Sequence, residues 1–403
     1  MTDDMAVRKQ RVAILGSTGS IGVSTLDVMA LHPDRFEVFA LSASTQVEKM
    51  LAQCAQFRPN FAVMASPEHG KRLAHLCKEN SLPTQVKYGS EAIEFIASHE
   101  SVDTVMAAIV GAAGLSSCLA AARAGKRLLL ANKEALVVGG DFFLQAVAEG
   151  GAKLLPIDSE HSAIFQSLPA DVTQWSAQID KIILTASGGP FRRRDPATFR
   201  DITPEQACAH PNWVMGRKIS VDSATMMNKA LEVIEARYLF DVHPSRIEVV
   251  IHPQSVIHSM VQYTDHSVIA QLGTPDMKVP IAYGLAWPDR VVSGATSLDF
   301  RAMADMTFEA LDSHGHAERF PGLQLAWQVL DAASGSTAVL NAANEVAVAA
   351  FLVGDIRFDQ IHAVNLETLS AMVPMPPTSL DDLLNLDRMA REAALRATAR
   401  LGH

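Results

Sequence analysis

The chain has 403 residues, of which 48% are hydrophobic and 19% charged, and its formal net charge is −10. This length exceeds one ordinary core and predicts two or three domains, and the composition excludes a disordered or low-complexity chain. The negative charge argues against a general nucleic-acid-binding surface, but it leaves room for a local basic patch that binds a phosphorylated small molecule.

Three further features bear on the location of the protein. The N-terminus, residues 1–10, contains acids and lacks the apolar segment of a signal peptide. The longest apolar run, 105–115, contains glycine and is shorter than the roughly 20 residues of a membrane helix. The cysteines have no metal-site or CxxC spacing and fit reduced, mostly buried thiols. We therefore expect a soluble cytoplasmic protein that binds no membrane and no nucleic acid. The four cysteines are Cys54, Cys77, Cys118 and Cys208.

Short apolar runs alternate with helical patterns from residue 11 to about 150. Such alternation predicts βαβ units and a Rossmann-like, doubly wound parallel sheet in an α/β domain. The predicted strands are 12–15, 36–42, 61–64, 104–108 and 127–130. The predicted helices are 24–31, 47–56, 67–80 and 115–124.

The first predicted strand ends in a glycine-rich turn, with Gly16, Gly19 and Gly22 at every third position before a helix. Glycine allows a tight turn and lets a pyrophosphate approach the main-chain N–H groups at the start of the helix. The spacing is GxxGxxG rather than GxGxxG, and such a turn can be purely structural. Its place in a βαβ unit favours dinucleotide binding.

The end of the second predicted strand bears on which dinucleotide binds. An NAD site usually presents an acid there for the ribose 2′-hydroxyl, whereas here the first acid is Glu48. The hydroxyls of Ser44 and Thr45 and the nearby Lys49 can accept a 2′-phosphate instead. The sequence therefore favours NADP.

Two short polar motifs allow both a structural and a functional interpretation. In Ala131-Asn132-Lys133-Glu134, Asn132 fits a helix cap, while Lys133 is placed to bind a substrate oxygen. In the segment 185–190, Ser187 and two glycines can form an anion-binding nest or a plain turn. Taken alone, the spacing favours the cap and the turn.

The stretch Asp158-Ser159-Glu160 follows an apolar strand. In an extended backbone, side chains two residues apart point the same way, so Asp158 and Glu160 can converge on a divalent cation. Equally, Asp158 or Ser159 can cap a helix with Glu160 in its first turn. The local sequence does not decide between these interpretations.

The middle of the chain has several predicted strands and one long helix, which is typical of an α+β domain, and the end of the chain is helical. The predicted strands are 181–185, 247–251, 257–263 and 267–272, with one long helix at 224–240. Residues 287–313 look like a linker. The predicted C-terminal helices are 323–333, 338–352, 361–372 and 380–400.

The long central helix carries a polar stripe. Asn228, Glu232 and Glu235 fall at i, i+4 and i+7 and share one face, with Lys229 one step round. Such a stripe is usually solvated, but this one can also bind phosphate at one end and a metal at the other. We expect Asp222 or Ser223 to cap this helix. His210 and Trp213 lie just upstream in a proline-containing loop, where they are either packing residues or part of a lid.

Together these motifs resemble the 1-deoxy-D-xylulose 5-phosphate reductoisomerase family over nearly the whole chain. The matching segments are 16–22, 106–115, 131–134, 155–168, 187–191, 210–235, 252–260 and 340–345. The resemblance implies an NADPH domain at 1–150, a catalytic and dimerisation domain at 151–287 with a lid near 207–217, a linker at 288–313, a helical domain at 314–403, and a homodimer.

The resemblance also implies roles for individual residues. It places the metal ligands at Asp158, Glu160 and Glu232. The implied catalytic residues are these three carboxylates and Lys133. It implies substrate contacts at Lys133, Ser159, Glu160, Ser187, His210, Trp213, Ser223, Asn228, Lys229 and Glu232, with Ser187, Ser223, Asn228 and Lys229 near the phosphate. It implies cofactor contacts at Thr18, Gly19, Ser20, Ile21, Asn132, Glu134 and Gly216.

The implied reaction is a rearrangement of 1-deoxy-D-xylulose 5-phosphate, assisted by Mg²⁺, Mn²⁺ or Co²⁺ as a Lewis acid, followed by reduction with NADPH. One segment departs from the family: Ser44-Thr45-Gln46 stands where relatives often have Gly, a basic residue and Asn. This departure weakens the expected 2′-phosphate clamp. A metal-independent NADP dehydrogenase and a non-catalytic nucleotide-sensing module remain the alternatives.

Overall fold

The computed structural model describes residues 8–402 except 212, 214 and 302–304. The predictions for the first seven residues, and for positions 212 and 214 of the expected lid, therefore lie outside the described residues. The chain forms two compact units. The first unit contains 8–132, 143–158 and 276–296, and the second contains 133–142, 159–275 and 297–402.

A seven-stranded sheet forms the first unit. Its strands are β1 (Gln10–Leu15), β2 (Phe36–Ala43), β3 (Phe61–Met64), β4 (Gln85–Tyr88), β5 (Thr104–Ala107), β6 (Arg127–Leu130) and β7 (Lys153–Pro156). The order is β4-β3-β2-β1-β5-β6-β7, and every pair is parallel. The strand order reverses between β1 and β5, which is the switch point where ligands bind in such sheets. The Rossmann-like prediction is confirmed.

The helices of the first unit follow the predicted pattern, with two additions. They are Ser20–Ala30, Val47–Phe57, Pro67–Glu79, Ser90–Ser98, Leu115–Arg123 and Lys278–Ala286, together with the 3₁₀ turn Ala112–Gly114. The sequence analysis did not predict Ser90–Ser98, Lys278–Ala286 or β4. Strand β4 reads Gln-Val-Lys-Tyr at the sheet edge, so it lacks the apolar run of a buried parallel strand.

The helix Lys133–Gly150 is broken within its length. Gly140 has φ +46°, and a Cβ there would lie 3.0 Å from the Tyr238 hydroxyl. Only glycine readily adopts this backbone conformation. The boundary between the units falls just after the break, between Phe142 and Phe143.

The second unit contains a mixed five-stranded sheet. Its strands are β8 (Ile179–Ala186), β9 (Ile247–Ile251), β10 (Ile257–Tyr263), β11 (Val268–Leu272) and β12 (Glu309–Ala310), in the order β11-β10-β8-β9-β12. Only the β8–β9 pair is parallel among these described strands. Buried side chains of the helix Met227–Phe240 and of the sheet share one core. The α+β prediction is confirmed.

Helices make up most of the remaining second unit. The α-helices are Ser159–Ser167, Trp175–Gln178, Pro204–Cys208, Arg217–Ala224, Met227–Phe240, His316–Arg319, Leu325–Leu330, Ser336–Val353, Gln360–Ala371 and Leu380–Leu401. The 3₁₀ helices are Val172–Gln174, Pro196–Asp201, Pro244–Arg246 and Pro321–Gln324. Among the described helices, Ser336–Val353 alone is long and apolar enough to cross a membrane, but 67% of it is buried inside the protein, as in a core helix.

The two compact units divide the chain differently from the predicted domains. Residues 151–158 and 276–287 fall in the first unit rather than in the predicted catalytic domain, and residues 288–296 of the predicted linker also belong to the first unit. The C-terminal helices share the second unit with the mixed sheet. The predicted boundaries at 150, 287 and 313 therefore stay predictions. All four cysteines are free thiols and three are buried, as expected.

Candidate active site and cofactor site

The glycine-rich turn of the first unit has no room for side chains at two of its glycines. Gly16 has φ +86°, and a Cβ on it would lie 2.6 Å from the Ala108 carbonyl oxygen. A Cβ on Gly22 would lie 2.4 Å from both the Gly16 oxygen and the Ser17 Cα. These contacts are with main-chain atoms that cannot rotate away. The glycines therefore fix a tight turn between β1 and the following helix.

The helix Ser20–Ala30 begins at this turn, with Gly19 at its N-cap. No described side chain caps it, and Gly19 and Ser20 are exposed. The first N–H groups of a helix have no partner within the helix, so they favour an anion. Thr18 is buried and Ile21 half-buried beside them. A dinucleotide pyrophosphate fits this turn, which lies at the switch point of the sheet.

Lys49 lies beside the same turn. Its Nζ donates to the Thr18 carbonyl oxygen at 2.6 Å. Ser44 and Thr45 are exposed after β2. The sequence predicts the Ser44 and Thr45 hydroxyls and the Lys49 ammonium group as ligands of a 2′-phosphate. These groups therefore lie around the carboxyl end of β2.

Asn132 follows β6 and is buried. Its Nδ2 donates to the Gly111 carbonyl oxygen at 3.1 Å, which ties β6 to the loop after β5. The next residue starts the helix Lys133–Gly150. Asn132 thus holds the N-cap position and also braces the neighbouring loop.

Three carboxylates come together around the start of the helix Ser159–Ser167. Asp158 directly precedes this helix in the chain. Asp158, Glu160 and Glu232 each offer an oxygen, and these oxygens lie within 4.8 Å of one another. Such an all-oxygen donor set fits a hard divalent cation. The helix also begins at Ser159 with Glu160 in its first turn, so the chain forms the predicted helix start as well as the carboxylate cluster.

Glu232 is almost fully buried, and its charge is balanced by buried cations. Lys133 Nζ donates to Glu232 Oε1 at 3.0 Å and to Asn228 Oδ1 at 3.0 Å. The Asn228 amide in turn donates to Glu232 Oε1. The polar stripe of the central helix is therefore buried rather than solvated, because each charge has a partner there.

Lys229 joins two of the three carboxylates. Its Nζ lies 3.1 Å from Glu160 Oε1 and also contacts Glu232 Oε2. The Ser159 hydroxyl donates to Glu160 Oε2 at 2.6 Å. The ammonium group of Lys229 is thus placed between carboxylates from two helices.

A buried histidine supports the same cluster. His161 Nε2 lies 2.9 Å from the Glu232 carbonyl oxygen, and its Nδ1 lies 3.2 Å from Glu235 Oε2. Both side chains are fully buried, and Asp158, His161 and Glu235 also lie within 4.8 Å of one another. His161 therefore joins the helix Ser159–Ser167 to the helix Met227–Phe240.

Ser187 and His210 form a second polar pair in the second unit. The Trp213 N–H donates to His210 Nδ1 at 3.0 Å, so Nε2 carries the proton and donates to Ser187 Oγ at 3.1 Å. Burial lowers the pKa of His210, which favours this neutral form. Ser187 Oγ also accepts from the Gly189 N–H at 3.2 Å. Two donors occupy the oxygen, so the hydroxyl hydrogen is directed to another acceptor.

Gly189 also brings this loop to Ser223. With φ +63°, its Cβ position lies 2.7 Å from the Ser223 carbonyl oxygen. A side chain at Gly189 would force the two segments apart. The close approach places Ser187 and Ser223 in neighbouring segments, as a shared phosphate site requires.

The predicted helix cap at Asp222 or Ser223 is wrong. Both residues lie at the end of a separate helix, Arg217–Ala224, and the next helix starts after Met226 at φ +61°. Asp222 is buried because it accepts from Lys218 at 2.8 Å and from Asn344 at 2.7 Å. One partner lies on the same helix and the other 122 residues away in sequence, and together they outweigh the local capping preference.

Lys218 also links Asp222 to Glu134. Its Nζ lies 2.8 Å from Glu134 Oε1. Burial alone lowers the pKa of Lys218, but the carboxylates of Asp222 and Glu134 outweigh it and raise the pKa. Gly216 lies at the N-cap of the helix that carries Lys218.

The sequence analysis missed His161, Lys218 and Asn344. It gave His161 no role, although His161 directly follows Glu160 in the sequence, and this adjacency was the available signal. Asn344 lies in the segment 340–345, which the resemblance included without giving it a role. No local pattern indicates that Lys218 pairs with Glu134, 84 residues away in sequence.

The fold and these sites define the class of the protein: an α/β oxidoreductase with a dinucleotide turn and an acidic site suited to a divalent cation. The family models that match are 1-deoxy-D-xylulose 5-phosphate reductoisomerase at residues 12–140, its C-terminal domain at 154–240, and DXP reductoisomerase C-terminal domain at 272–393. The chain belongs to the 1-deoxy-D-xylulose 5-phosphate reductoisomerase family.

Individual relatives agree with this assignment. The chain is 58% identical to the 1-deoxy-D-xylulose 5-phosphate reductoisomerase of Cupriavidus taiwanensis over 95% of this chain and 97% of that protein. A crystal structure of DOX-P reductoisomerase with NADPH, fosmidomycin and magnesium is 44% identical, with a TM-score of 0.92 over 96% of this chain and 98% of that one. The Zymomonas mobilis enzyme with NADPH is 44% identical, with a TM-score of 0.90 over 97% and 99%.

Proposed function

We propose that the chain converts 1-deoxy-D-xylulose 5-phosphate and NADPH into 2-C-methyl-D-erythritol 4-phosphate, a step in isoprenoid precursor biosynthesis. The observation that carries the proposal is the convergence of Asp158, Glu160 and Glu232 within 4.8 Å. A substrate with a ketone beside a hydroxyl offers two oxygens to a cation held in this way. Isolated helix caps would not require Glu232, which lies on a different helix.

In this proposal Asp158, Glu160 and Glu232 hold Mg²⁺, Mn²⁺ or Co²⁺. When bound, such a cation supplies Lewis acidity and a template for the substrate oxygens. Lys133 is buried with its ammonium group beside Glu232, and we assign it to a reacting substrate oxygen. Its fixed positive charge stabilises negative charge that develops there.

The remaining polar residues bind and enclose the substrate. Ser187, whose oxygen accepts from His210 and Gly189 and whose hydroxyl can donate to a ligand, binds the phosphate together with Ser223, Asn228 and Lys229. Ser159, Glu160, His210 and Trp213 complete the substrate contacts. We place Trp213 in a lid near 207–217 that excludes water.

The proposed cofactor site is the glycine-rich turn, with Thr18, Gly19, Ser20 and Ile21 on the pyrophosphate and with Asn132, Glu134 and Gly216 as further contacts. NADPH, when bound, supplies the hydride. Because Ser44-Thr45-Gln46 stands where relatives often have Gly, a basic residue and Asn, we expect a smaller preference for NADPH over NADH than in relatives with the basic residue. The ratio of kcat/KM for NADPH to that for NADH measures it.

The test of the function is NADPH oxidation by the purified protein with 1-deoxy-D-xylulose 5-phosphate, after chelation and with each metal restored. We expect turnover only with metal and loss of turnover in Asp158→Asn. Full activity of chelated Asp158→Asn would favour a metal-independent dehydrogenase. Saturable NADPH binding without any turnover would favour a nucleotide-sensing module.

We also propose a cytoplasmic homodimer, with the sugar phosphate as its small-molecule partner. Strand β11 is a sheet edge, and Val268 and Ile269 on it are 48% and 47% exposed. Apolar edge strands readily pair with another chain. Light scattering is expected to give a dimer mass for the wild type and a lower mass for Ile269→Lys, whereas a wild-type monomer would contradict the proposal.

A further inference from the structure

We propose that Lys229 is an internal counter-ion that occupies the metal position and leaves it when the cation binds. This inference rests on the proposed function, because it takes Asp158, Glu160 and Glu232 as the metal ligands. Lys229 Nζ contacts Glu160 Oε1 at 3.1 Å and also contacts Glu232 Oε2. An ammonium group that contacts oxygens of two carboxylates lies between them, and a chelated cation takes the same space.

Burial explains why these carboxylates need a counter-ion. The side chains of Lys229 and Glu232 are 4% and 1% exposed, and that of Glu160 is 21% exposed. A buried carboxylate without a partner is strongly unfavourable, so the charges must be balanced before any cation arrives. Lys229 thereby keeps Glu160 and Glu232 together in the geometry that the cation needs.

The two lysines of the cluster have different positions. Lys133 donates to Glu232 Oε1 at 3.0 Å and also to the neutral amide oxygen of Asn228 at 3.0 Å. The amide partner helps to hold Lys133 in place while a cation binds. Lys229 contacts two of the ligand carboxylates, so a divalent cation that they chelate strongly repels its ammonium group.

The displaced ammonium group then needs an anion. A phosphorylated substrate brings one, and Lys229 is free to bind it only after leaving the carboxylates. Cation and phosphate therefore favour the same position of Lys229, and each is expected to strengthen the binding of the other. The lysine thus couples metal occupancy to substrate binding.

The experiment measures Mn²⁺ binding to purified protein without substrate, by electron paramagnetic resonance of the free ion. We expect Lys229→Met, which keeps an unbranched apolar chain, and Lys229→Gln to bind Mn²⁺ about tenfold more tightly than the wild type, within the usual range for linked sites. Lys218→Met is the matched control, since Lys218 is a buried lysine paired with Glu134 and Asp222. Its Mn²⁺ affinity is expected to stay within about twofold of the wild type.

The second measurement adds inorganic phosphate. Phosphate is expected to tighten Mn²⁺ binding in the wild type and to have no such effect in Lys229→Met. Unchanged or weaker Mn²⁺ binding in both Lys229 variants would overturn the inference, as would equal tightening in Lys218→Met. The proposed metal site is tested separately: if Glu232→Gln binds Mn²⁺ as well as the wild type does, the ligand assignment itself is wrong.

Discussion

The glycine-rich turn of the first unit and the charged cluster around Glu232 in the second unit are built for ligand binding in opposite ways. The turn offers main-chain N–H groups, and its shape depends on missing side chains at Gly16 and Gly22. The cluster offers charged side chains, and its shape depends on ion pairs around Glu232. The first site is therefore sensitive to added atoms, whereas the second is sensitive to lost charges.

The two sites also differ in how they stay folded. The turn is held by ordinary main-chain geometry, so it costs little when no ligand is bound. The cluster buries like charges near one another and is stable only because Lys133 and Lys229 lie among them. A change in one cluster residue consequently leaves a buried charge without its partner, and it affects activity and stability together.

The largest expected effect is from Glu232→Gln in the cluster. The variant loses a proposed metal ligand and the partner of two buried lysines, so we expect kcat to fall by about a thousandfold or more. Metal-saturated steady-state kinetics measures this change. Glu248→Gln is the matched control, because Glu248 is exposed and pairs only with Lys181 among the described residues. Comparable kcat in the two variants would contradict the assignment.

The second-largest expected effect is from Gly22→Ala in the glycine-rich turn. In Gly22→Ala the new Cβ would lie 2.4 Å from main-chain atoms, so the turn must open. We expect KM for NADPH to rise by at least about tenfold and the free energy of unfolding to fall by about 2 kcal/mol. Gly151→Asn is the control, since Gly151 has open space and φ +66°, which asparagine tolerates. A normal KM in Gly22→Ala would show that the turn does not bind the cofactor.

A smaller effect is expected from Ser187→Ala. This change removes one hydroxyl that donates to the proposed phosphate, so we expect KM for the sugar phosphate to rise about tenfold with little change in kcat. Initial-rate kinetics separates the two constants. Ser313→Ala, at an exposed turn, is expected to behave like the wild type. A fall in kcat without a rise in KM would argue against a binding role.

The smallest effect is a pH dependence that arises from His210. Burial holds its pKa below the ordinary value, so the contact with the Trp213 N–H is fully present above about pH 6.5 and is lost as the pH falls through the lowered pKa. We expect KM for the sugar phosphate to be constant above about pH 6.5 and to rise below it. In His210→Asn this rise in KM below about pH 6.5 should disappear. The asparagine side-chain oxygen still accepts from the Trp213 N–H, but it does not titrate. An identical profile in the variant would exclude His210 as its source.

Some elements could be predicted because local pattern was enough. Strands β1, β2, β3, β5 and β6 are short apolar runs buried on both faces, so each is recognisable alone. The face shared by Asn228 and Glu232 followed from helical spacing and is confirmed by their contact. By contrast, β4 and the helix Lys278–Ala286 carry weak local patterns and depend on neighbouring elements.

The sequence by itself determined the parallel sheet of the first unit, the position of the glycine-rich turn and the polar stripe around Glu232, because periodicity and glycine spacing act over a few residues. The tertiary structure decided that this stripe is buried, that Lys229 lies between Glu160 and Glu232, and that Asp222 pairs with Asn344, 122 residues away, instead of capping a helix. The physical reason is the range of the interactions: hydrophobic period and turn chemistry are local, whereas the pairing of buried charges depends on residues that only the folded chain brings together.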